Sequence, residues 1–160
     1  MILVLLGTQN NSFHRLLEEI DRLKNNNIIH DKIIVQAGHT KYKSTGMEII
    51  DLIPKEKLEK YVDEADIIIT HGGVGSIISA IKKNKKVIAV PRCHKYGEHV
   101  NDHQRQIVQV FNEKGYIVGI DGVEELENAI KSIEEFTPAK YQQNNEKMLK
   151  TISDFIDSLC

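Results

Sequence analysis

Two chemically distinct groups of polar residues lie close together between positions 70 and 104. The first is a glycine-rich turn that contains His71, Gly72, Gly73, Gly75 and Ser76. Glycines let a ligand approach the backbone, and free N–H groups at the start of a helix bind phosphate. The second group is Glu98, His99, Asn101, Asp102, His103 and Gln104, whose side chains suit a ligand rich in hydroxyl groups. Together the two groups predict a nucleotide-sugar site.

Each group also has a structural interpretation. The glycines could form a tight turn that needs positive φ, and the turn is neither a Walker A loop nor a G-x-G-x-x-G fingerprint. Asn101 or Asp102 could simply cap the helix that follows. His94, His99 and His103 could ligate a metal, since His99 and His103 stand four residues apart, but no H-E-x-x-H pattern frames them. We therefore expect no metal ion and no cofactor.

The elements around these residues alternate between strand and helix. Apolar runs predict strands over residues 2–6, 32–36, 47–53, 67–70, 86–90 and 116–120. Helical periodicity predicts helices over residues 12–23, 54–62, 101–114, 123–133 and about 139–160, with Ser12 as the first N-cap. This alternation predicts an α/β fold with a doubly wound, mainly parallel, Rossmann-like sheet. The turn Gly7, Thr8, Gln9 would then meet the glycine turn at the carboxyl edge of the sheet.

Length, charge and cysteine content limit the possible classes of protein. The 160 residues contain no long linker and predict a single domain over 1–160. The net charge of −2 argues against a nucleic-acid partner. The apolar runs are too short to span a membrane, and no signal peptide is apparent. Two cysteines, Cys93 and Cys160, fit a reducing compartment, so we expect a cytoplasmic protein.

Four motifs resemble the C-terminal, donor-binding domain of glycosyltransferase family 28. They are G-T-Q from Gly7, Q-A-G-H from Gln36, H-G-G-V-G-S from His71, and V-P-R from Val90 followed by Y-G-E-H-V-N-D-H-Q from Tyr96. The resemblance covers Met1 to about Ile133. It is strongest to small single-domain members, which include the soluble subunit of the eukaryotic dolichol-linked N-acetylglucosaminyltransferase and bacterial counterparts in capsule and exopolysaccharide synthesis. It implies the donor half of a two-lobed GT-B enzyme.

The resemblance also implies an activity and residue roles. The activity is inverting transfer of a hexose from a UDP-sugar to a lipid-linked acceptor in capsular or exopolysaccharide synthesis. By position, the turn 71–76 would hold the diphosphate and reach the sugar, Asp102–Gln104 would bind sugar hydroxyls, and Gly7–Gln9 would close over the phosphates. Glu98 and His99 are candidates for the general base because they lie next to the expected sugar site.

The chain departs from the family pattern at Ser79. Many relatives have a glutamate there that holds the ribose hydroxyls, so ribose binding must come from elsewhere, with Glu98 as one candidate. Two other functions stay open: a non-catalytic nucleotide-sugar-binding or scaffold module, and a metal-dependent hydrolase that uses the histidine cluster.

The expected partner is a membrane-anchored subunit that supplies the acceptor lobe. It would recruit the chain to the inner face of the membrane, and the chain alone would self-associate. The predicted final helix is the expected docking element, although it could instead pack on its own core. Its apolar stripe consists of Met148, Leu149, Ile152, Phe155, Ile156 and Leu159.

Overall fold

The computed structural model describes residues 1–141, 150–152 and 154. Six parallel strands form a sheet of order β3-β2-β1-β4-β5-β6. The strands are β1 Ile2–Leu5, β2 Ile33–Gln36, β3 Glu48–Ile50, β4 Ile67–His71, β5 Lys86–Val90 and β6 Val118–Gly119. The helices are α1 His14–Asn25, α2 Lys55–Glu64, α3 Val74–Lys82, α4 His103–Glu113 and α5 Leu126–Ser132. Short 3-10 turns cover His94–Tyr96, Val123–Glu125 and Ile133–Glu135.

Alternate side chains of the central strands point into two separate cores. Ile2 and Val4 of β1 face one core, which α1 and α5 cover with residues such as Leu17 and Leu126. Leu3 and Leu5 face the other, which α3 and α4 cover with residues that include Ile77, Ile81, Ile107 and Phe111. Central strands of this kind are apolar throughout because both of their faces are buried. The arrangement confirms the predicted doubly wound α/β sheet.

Several boundaries differ from the sequence prediction. Helix α1 begins at His14, and its N-cap is Phe13 rather than Ser12. The Phe13 N–H group donates to Thr40 Oγ1 at 2.9 Å, which replaces a side-chain cap. The strands predicted over 47–53 and 116–120 shrink to β3 and β6, the two edges of the sheet, where only one neighbouring strand is available for pairing. The helix predicted over 123–133 starts with a 3-10 turn, and α4 starts at residue 103.

Most of the predicted final helix lies outside the described residues. Residues 150–152 and 154 are helical. Ile152 is buried in the core that α3 and α4 cover, so this member of the stripe packs on its own chain. The other five members of the stripe lie outside the described residues. No helix in the described part of the chain is long and apolar enough to cross a membrane.

The order of the strands changes direction between β1 and β4, and this creates a crevice. These two strands are neighbours at the centre of the sheet, with Leu5 opposite Thr70 at their carboxyl ends. The chain leaves β1 towards β2 on one side, and the later strands continue from β4 on the other. At such a switch point the following loops separate and leave room for a ligand.

Candidate functional site

The glycine turn joins β4 to α3 without any left-handed residue. Gly73 is the N-cap of α3 with φ −74° and ψ 131°, and positive φ values occur at other glycines. The tight-turn interpretation is therefore wrong, and space explains the glycines instead. A Cβ atom on Gly72 would lie 2.8 Å from Gln104 Cβ, and one on Gly73 would overlap the His71 ring. Gly75 differs, because nothing lies within 4 Å of its Cβ position.

A cavity of about 360 Å³ opens beside this turn. One wall is formed by the glycine turn and by the turn after β1, which contribute His71, Gly73, Gly75, Ser76, Gly7, Thr8 and Gln9. An apolar wall consists of Leu52, Ile53 and Leu58. Cavities that bind small molecules are mostly apolar with a few polar groups, and this volume lies in their usual range. The structure thus brings the two predicted turns together.

Sequence reasoning missed the apolar wall and a buried glutamine behind the first turn. Leu52 and Ile53 belonged to a predicted strand end, so their exposure at the cavity gave no signal. Gln36 accepts from the Gly7 N–H at 3.2 Å and donates to the Gly7 carbonyl at 3.1 Å. The amide of Gln36 therefore holds the first turn, in which Gly7 takes a left-handed conformation with φ 78°. Position 7 needs glycine for this conformation.

His71 lies at the back of the cavity and is only 7% exposed. Gln104 Nε2 lies 3.2 Å from His71 Nδ1, and Ser76 Oγ lies 3.4 Å from Nε2. Burial, followed by the positive charge of Arg92, lowers the pKa of His71 to about 4. The ring is therefore neutral near pH 7 and can donate through one nitrogen while accepting through the other.

Gln104 is buried at 4% exposure and faces the ends of two strands. Its Oε1 accepts from the N–H groups of Gly72 and Arg92, each at 3.0 Å. The resemblance implies that Gln104 binds sugar hydroxyls. In the structure, both lone pairs of Oε1 and one N–H group of the amide already have partners within the chain. Its observed role is to join α4 to the ends of β4 and β5.

Glu98 is 3% exposed and anchors the loop of residues 94–102. Arg15 Nε donates to its Oε1 at 2.6 Å, and Arg15 Nη2 donates to its Oε2 at 3.1 Å. The Cys93 N–H group also donates to Oε2, at 2.9 Å. Both oxygens are thus occupied, whereas the sequence placed this carboxylate at the sugar. Arg15 was missed because it lies on α1, far away along the chain.

Arg92 is a second cation to which the sequence analysis assigned no role, and unlike Arg15 it is fully buried. It is 1% exposed, and its guanidinium donates to the carbonyls of Leu6 at 2.6 Å, Asn11 at 2.8 Å and Glu98 at 3.0 Å. The ring of Phe13 lies 5.1 Å away, within the range of a cation–π contact. Burial lowers the pKa of Arg92, but a guanidinium stays charged in proteins. The result is a fixed positive charge near the cavity.

His99 connects the 94–102 loop to the first turn. Its Nδ1 accepts from the Asn101 N–H group at 3.3 Å, and its Nε2 lies 2.9 Å from the Gln9 side-chain amide. Since Nδ1 is the acceptor, Nε2 carries the hydrogen, and the Gln9 amide must present its oxygen. Burial lowers the pKa of His99, which keeps the ring neutral. Both ring nitrogens therefore have partners.

Asn101 and Asp102, two further residues of the polar segment, cap helical elements. Asn101 Oδ1 accepts from the His103 N–H group at 3.1 Å, which caps the start of α4. Asp102 Oδ1 instead accepts from the His94 N–H group at 2.9 Å and caps the 3-10 turn. Within the described ranges, no three His, Cys, Asp or Glu side chains are grouped so that they could hold a metal ion.

A larger cavity, of about 610 Å³, lies between α4 and the residues around β6. It reaches Asp102 but includes no residue of the glycine turn. Another cavity, of about 580 Å³, lies near the amino ends of β4 and β5 and contains Lys85 and Lys86. We place the candidate site at the 360 Å³ cavity, because the glycine turn, the turn after β1 and the start of α3 meet there.

Comparison with known proteins identifies the family of the chain. The profile of the glycosyltransferase family 28 C-terminal domain matches residues 1–159. The UDP-N-acetylglucosamine transferase subunit ALG13 of Candida glabrata is 28% identical over 132 residues, which are 79% of this chain and 63% of that protein. Its Candida albicans counterpart is 29% identical over 91 residues, which are 57% of this chain and 29% of that protein. The chain thus spans less than two thirds of the length of either relative.

Two solved structures show the same fold. A solution structure of ALG13 superimposes with a TM-score of 0.62 at 19% identity and covers 92% of this chain and 94% of that one. The crystal structure of Acinetobacter baumannii MurG superimposes with a TM-score of 0.55 at 18% identity, covering 82% of this chain and 40% of that chain. Because the family profile spans almost the whole sequence, the chain belongs to glycosyltransferase family 28, whose C-terminal domain it represents.

Proposed function

We propose that this chain binds the UDP-sugar donor for an inverting glycosyltransferase, with UDP-N-acetylglucosamine as the first donor to test. The observation that carries the proposal is the cavity at the switch point of the sheet, with the start of α3 on one wall and apolar side chains on the other. The resemblance implied a hexose without naming it, and the relatives named as UDP-N-acetylglucosamine transferase subunits support this donor.

The start of α3 is the proposed diphosphate site. The first intrahelical bond runs from the Ile77 N–H group to the Gly73 carbonyl, at 3.2 Å. The N–H groups of residues 74–76 precede that bond and lie at the positive end of the helix dipole. They would stabilise the charge that grows on UDP as the glycosidic bond breaks. Ser76 Oγ and the neutral ring of His71 would add two further donors.

The apolar wall is the proposed contact for the base and the ribose. Leu52 is 63% exposed. It lines the cavity together with Ile53 and Leu58. A flat, largely apolar base packed on these side chains would cover them. This contact would hold the base, but it supplies no hydrogen bond to the ribose hydroxyls in place of the glutamate that the family pattern has at Ser79.

The general base is the least complete part of the site. Glu98 accepts from Arg15 and Cys93, so taking a proton would break a buried ion pair. We therefore assign Glu98 a positioning role, since it holds the 94–102 loop where Asp102 and His103 would meet the sugar. His99 stays the candidate base on this chain, and its unprotonated nitrogen, Nδ1, would first have to release the Asn101 N–H group. The other source is an acceptor lobe on a partner.

A partner subunit is supported by the relatives' description as subunits. We propose a membrane-anchored subunit that supplies the acceptor lobe and presents a lipid-linked saccharide. The chain would work at the cytoplasmic face of that membrane, and it would self-associate when alone. The capsular or exopolysaccharide setting stays a prediction of the resemblance.

Calorimetry and a transfer assay test the proposal. The chain should bind UDP and UDP-N-acetylglucosamine, and EDTA should leave the affinity for each ligand unchanged. With the partner present, transfer to a lipid-linked acceptor should be faster than with the chain alone, and a panel of UDP-sugars identifies the donor. Absence of binding at millimolar nucleotide would contradict a donor site. Binding without any transfer in the presence of the partner would favour the non-catalytic module.

A further inference from the structure

The hydrogen bonds of Gln104 determine which nitrogen of His71 carries the hydrogen. Oxygen and nitrogen of a glutamine amide are usually hard to tell apart. Here one amide atom faces two backbone N–H donors, those of Gly72 and Arg92, each at 3.0 Å. Only oxygen can accept both. The other amide atom, 3.2 Å from His71 Nδ1, is therefore the nitrogen, and it donates to the ring.

This contact makes Nδ1 of His71 the acceptor and leaves the hydrogen on Nε2. Nε2 faces the two glycine turns: it lies 3.4 Å from Ser76 Oγ and 2.6 Å from the position that a Cβ on Gly7 would take. The N–H group therefore points towards the cavity wall that the diphosphate would contact. In the other tautomer, a lone pair at Nε2 would repel the phosphate oxygens.

We propose that Gln104 is a positioning residue that holds His71 as the Nε2–H tautomer, so that a neutral imidazole donates a hydrogen bond to the diphosphate of the UDP-sugar. The inference rests on the proposed function for its ligand, but the tautomer itself belongs to the free protein. It assigns to Gln104 a role inside the phosphate half of the site. The resemblance implied a contact with the sugar instead.

The surroundings of His71 favour the neutral ring. The charged or titratable groups that face it within the described residues are Arg92, which follows β5, and His99 in the 94–102 loop. The charge of Arg92 opposes protonation of His71, and burial opposes it more strongly. A neutral donor also avoids a second buried cation next to Arg92. The buried site thus keeps one fixed charge and one neutral donor.

Nitrogen NMR of the free protein tests the tautomer directly. Long-range proton–nitrogen spectra of histidine-labelled protein distinguish a protonated Nδ1 from a protonated Nε2, and a His71→Gln variant assigns the signals. We expect a neutral ring with the hydrogen on Nε2 at pH 7. A hydrogen on Nδ1, or a ring that is protonated at pH 7, would overturn the proposal whether or not the chain binds a nucleotide.

The Gln104→Glu variant tests the link to the ligand. A carboxylate can still accept from both backbone N–H groups, but it would accept from Nδ1 as well and reverse the tautomer. At low pH the doubly protonated ring could still donate through Nε2, whereas at high pH it would present a lone pair. Affinity for UDP-N-acetylglucosamine should then fall about tenfold between pH 5.5 and 8.5, the size of one hydrogen bond to a charged group. The wild-type affinity should stay level.

Gln106→Glu is the matched control, because it makes the same change at an exposed position of the same helix. It should follow the wild-type profile. Identical profiles for all three proteins would show that Gln104 does not control the donor at Nε2. If the wild type binds no UDP-N-acetylglucosamine, the proposed function fails, and the NMR measurement alone decides the tautomer. The same measurement decides it if the Gln104→Glu variant does not fold.

Discussion

Replacing Gly75 by alanine should separate ligand binding from stability. Gly75 is the second residue of α3, its Cβ position is open, and the residue lines the cavity. Alanine in place of a helical glycine stabilises a protein by roughly 0.5–1 kcal/mol, which corresponds to a few degrees in the melting temperature at this chain length. The new methyl group would occupy the space next to the helix N–H groups. Losing one hydrogen bond to the diphosphate should then weaken binding about tenfold or more.

Thermal unfolding and calorimetry with UDP-N-acetylglucosamine measure the two effects on one sample. Gly73→Ala is the matched comparison, because its methyl group would overlap the His71 ring. It should destabilise the fold by roughly 1–3 kcal/mol, the usual cost of an overpacked site. A Gly75→Ala protein that melts higher than wild type and binds the donor equally well would refute the phosphate site at α3.

Three further predictions concern charges in and around the site. Because burial and the charge of Arg92 lower the pKa of His71 to about 4, the unfolded chain binds more protons than the folded one between about pH 6.5 and 4. The free energy of unfolding, measured with urea, should therefore fall by about 3 kcal/mol as the pH is lowered through that window. His71→Gln should remove most of this loss. Arg15→Met should destabilise the protein by about 3 kcal/mol, because it leaves the buried Glu98 carboxylate unpaired; adding Glu98→Gln should recover part of the loss if the pair only anchors the loop. Asp102→Ala should weaken the binding of UDP-N-acetylglucosamine more than the binding of UDP, as measured by calorimetry. Equal losses of affinity for both ligands would limit Asp102 to capping the turn at His94.

The sequence predicted the parts of the fold whose pattern is local. Strands β1, β4 and β5 are continuous apolar runs because each is buried on both faces, and a run of that kind is visible without knowing its neighbours. The edge strands β3 and β6 were drawn too long, since their ends depend on what pairs with them. The alternation of strand and helix predicted a parallel, doubly wound sheet, and the structure adds the order of its strands.

The candidate site was predictable only in part, for a related reason. The turns after β1 and β4 are recognisable because their glycines are needed at fixed places: Gly7 for its left-handed conformation, and Gly72 and Gly73 for lack of space. Arg15 and Arg92 gave no local signal, because their partners are far away along the chain. The same long-range contacts changed the interpretation of Glu98. The sequence analysis placed its carboxylate at the sugar, but in the structure it forms a buried ion pair with Arg15. A polar segment in a sequence does not distinguish side chains that face a ligand from those that face the core.

The segment that follows β1 supports both halves of the site. Gly7, Thr8 and Gln9 line the cavity, Asn11 Nδ2 donates to the Gly97 carbonyl at 2.9 Å, and Arg15 holds Glu98. The 94–102 loop is therefore not an interchangeable module. A chimera that imported this loop alone from a relative with another sugar would break contacts at residues 9, 11 and 15. A functional exchange would have to include both the segment after β1 and the 94–102 loop. We therefore expect donor specificity to change through paired substitutions that are distant in sequence.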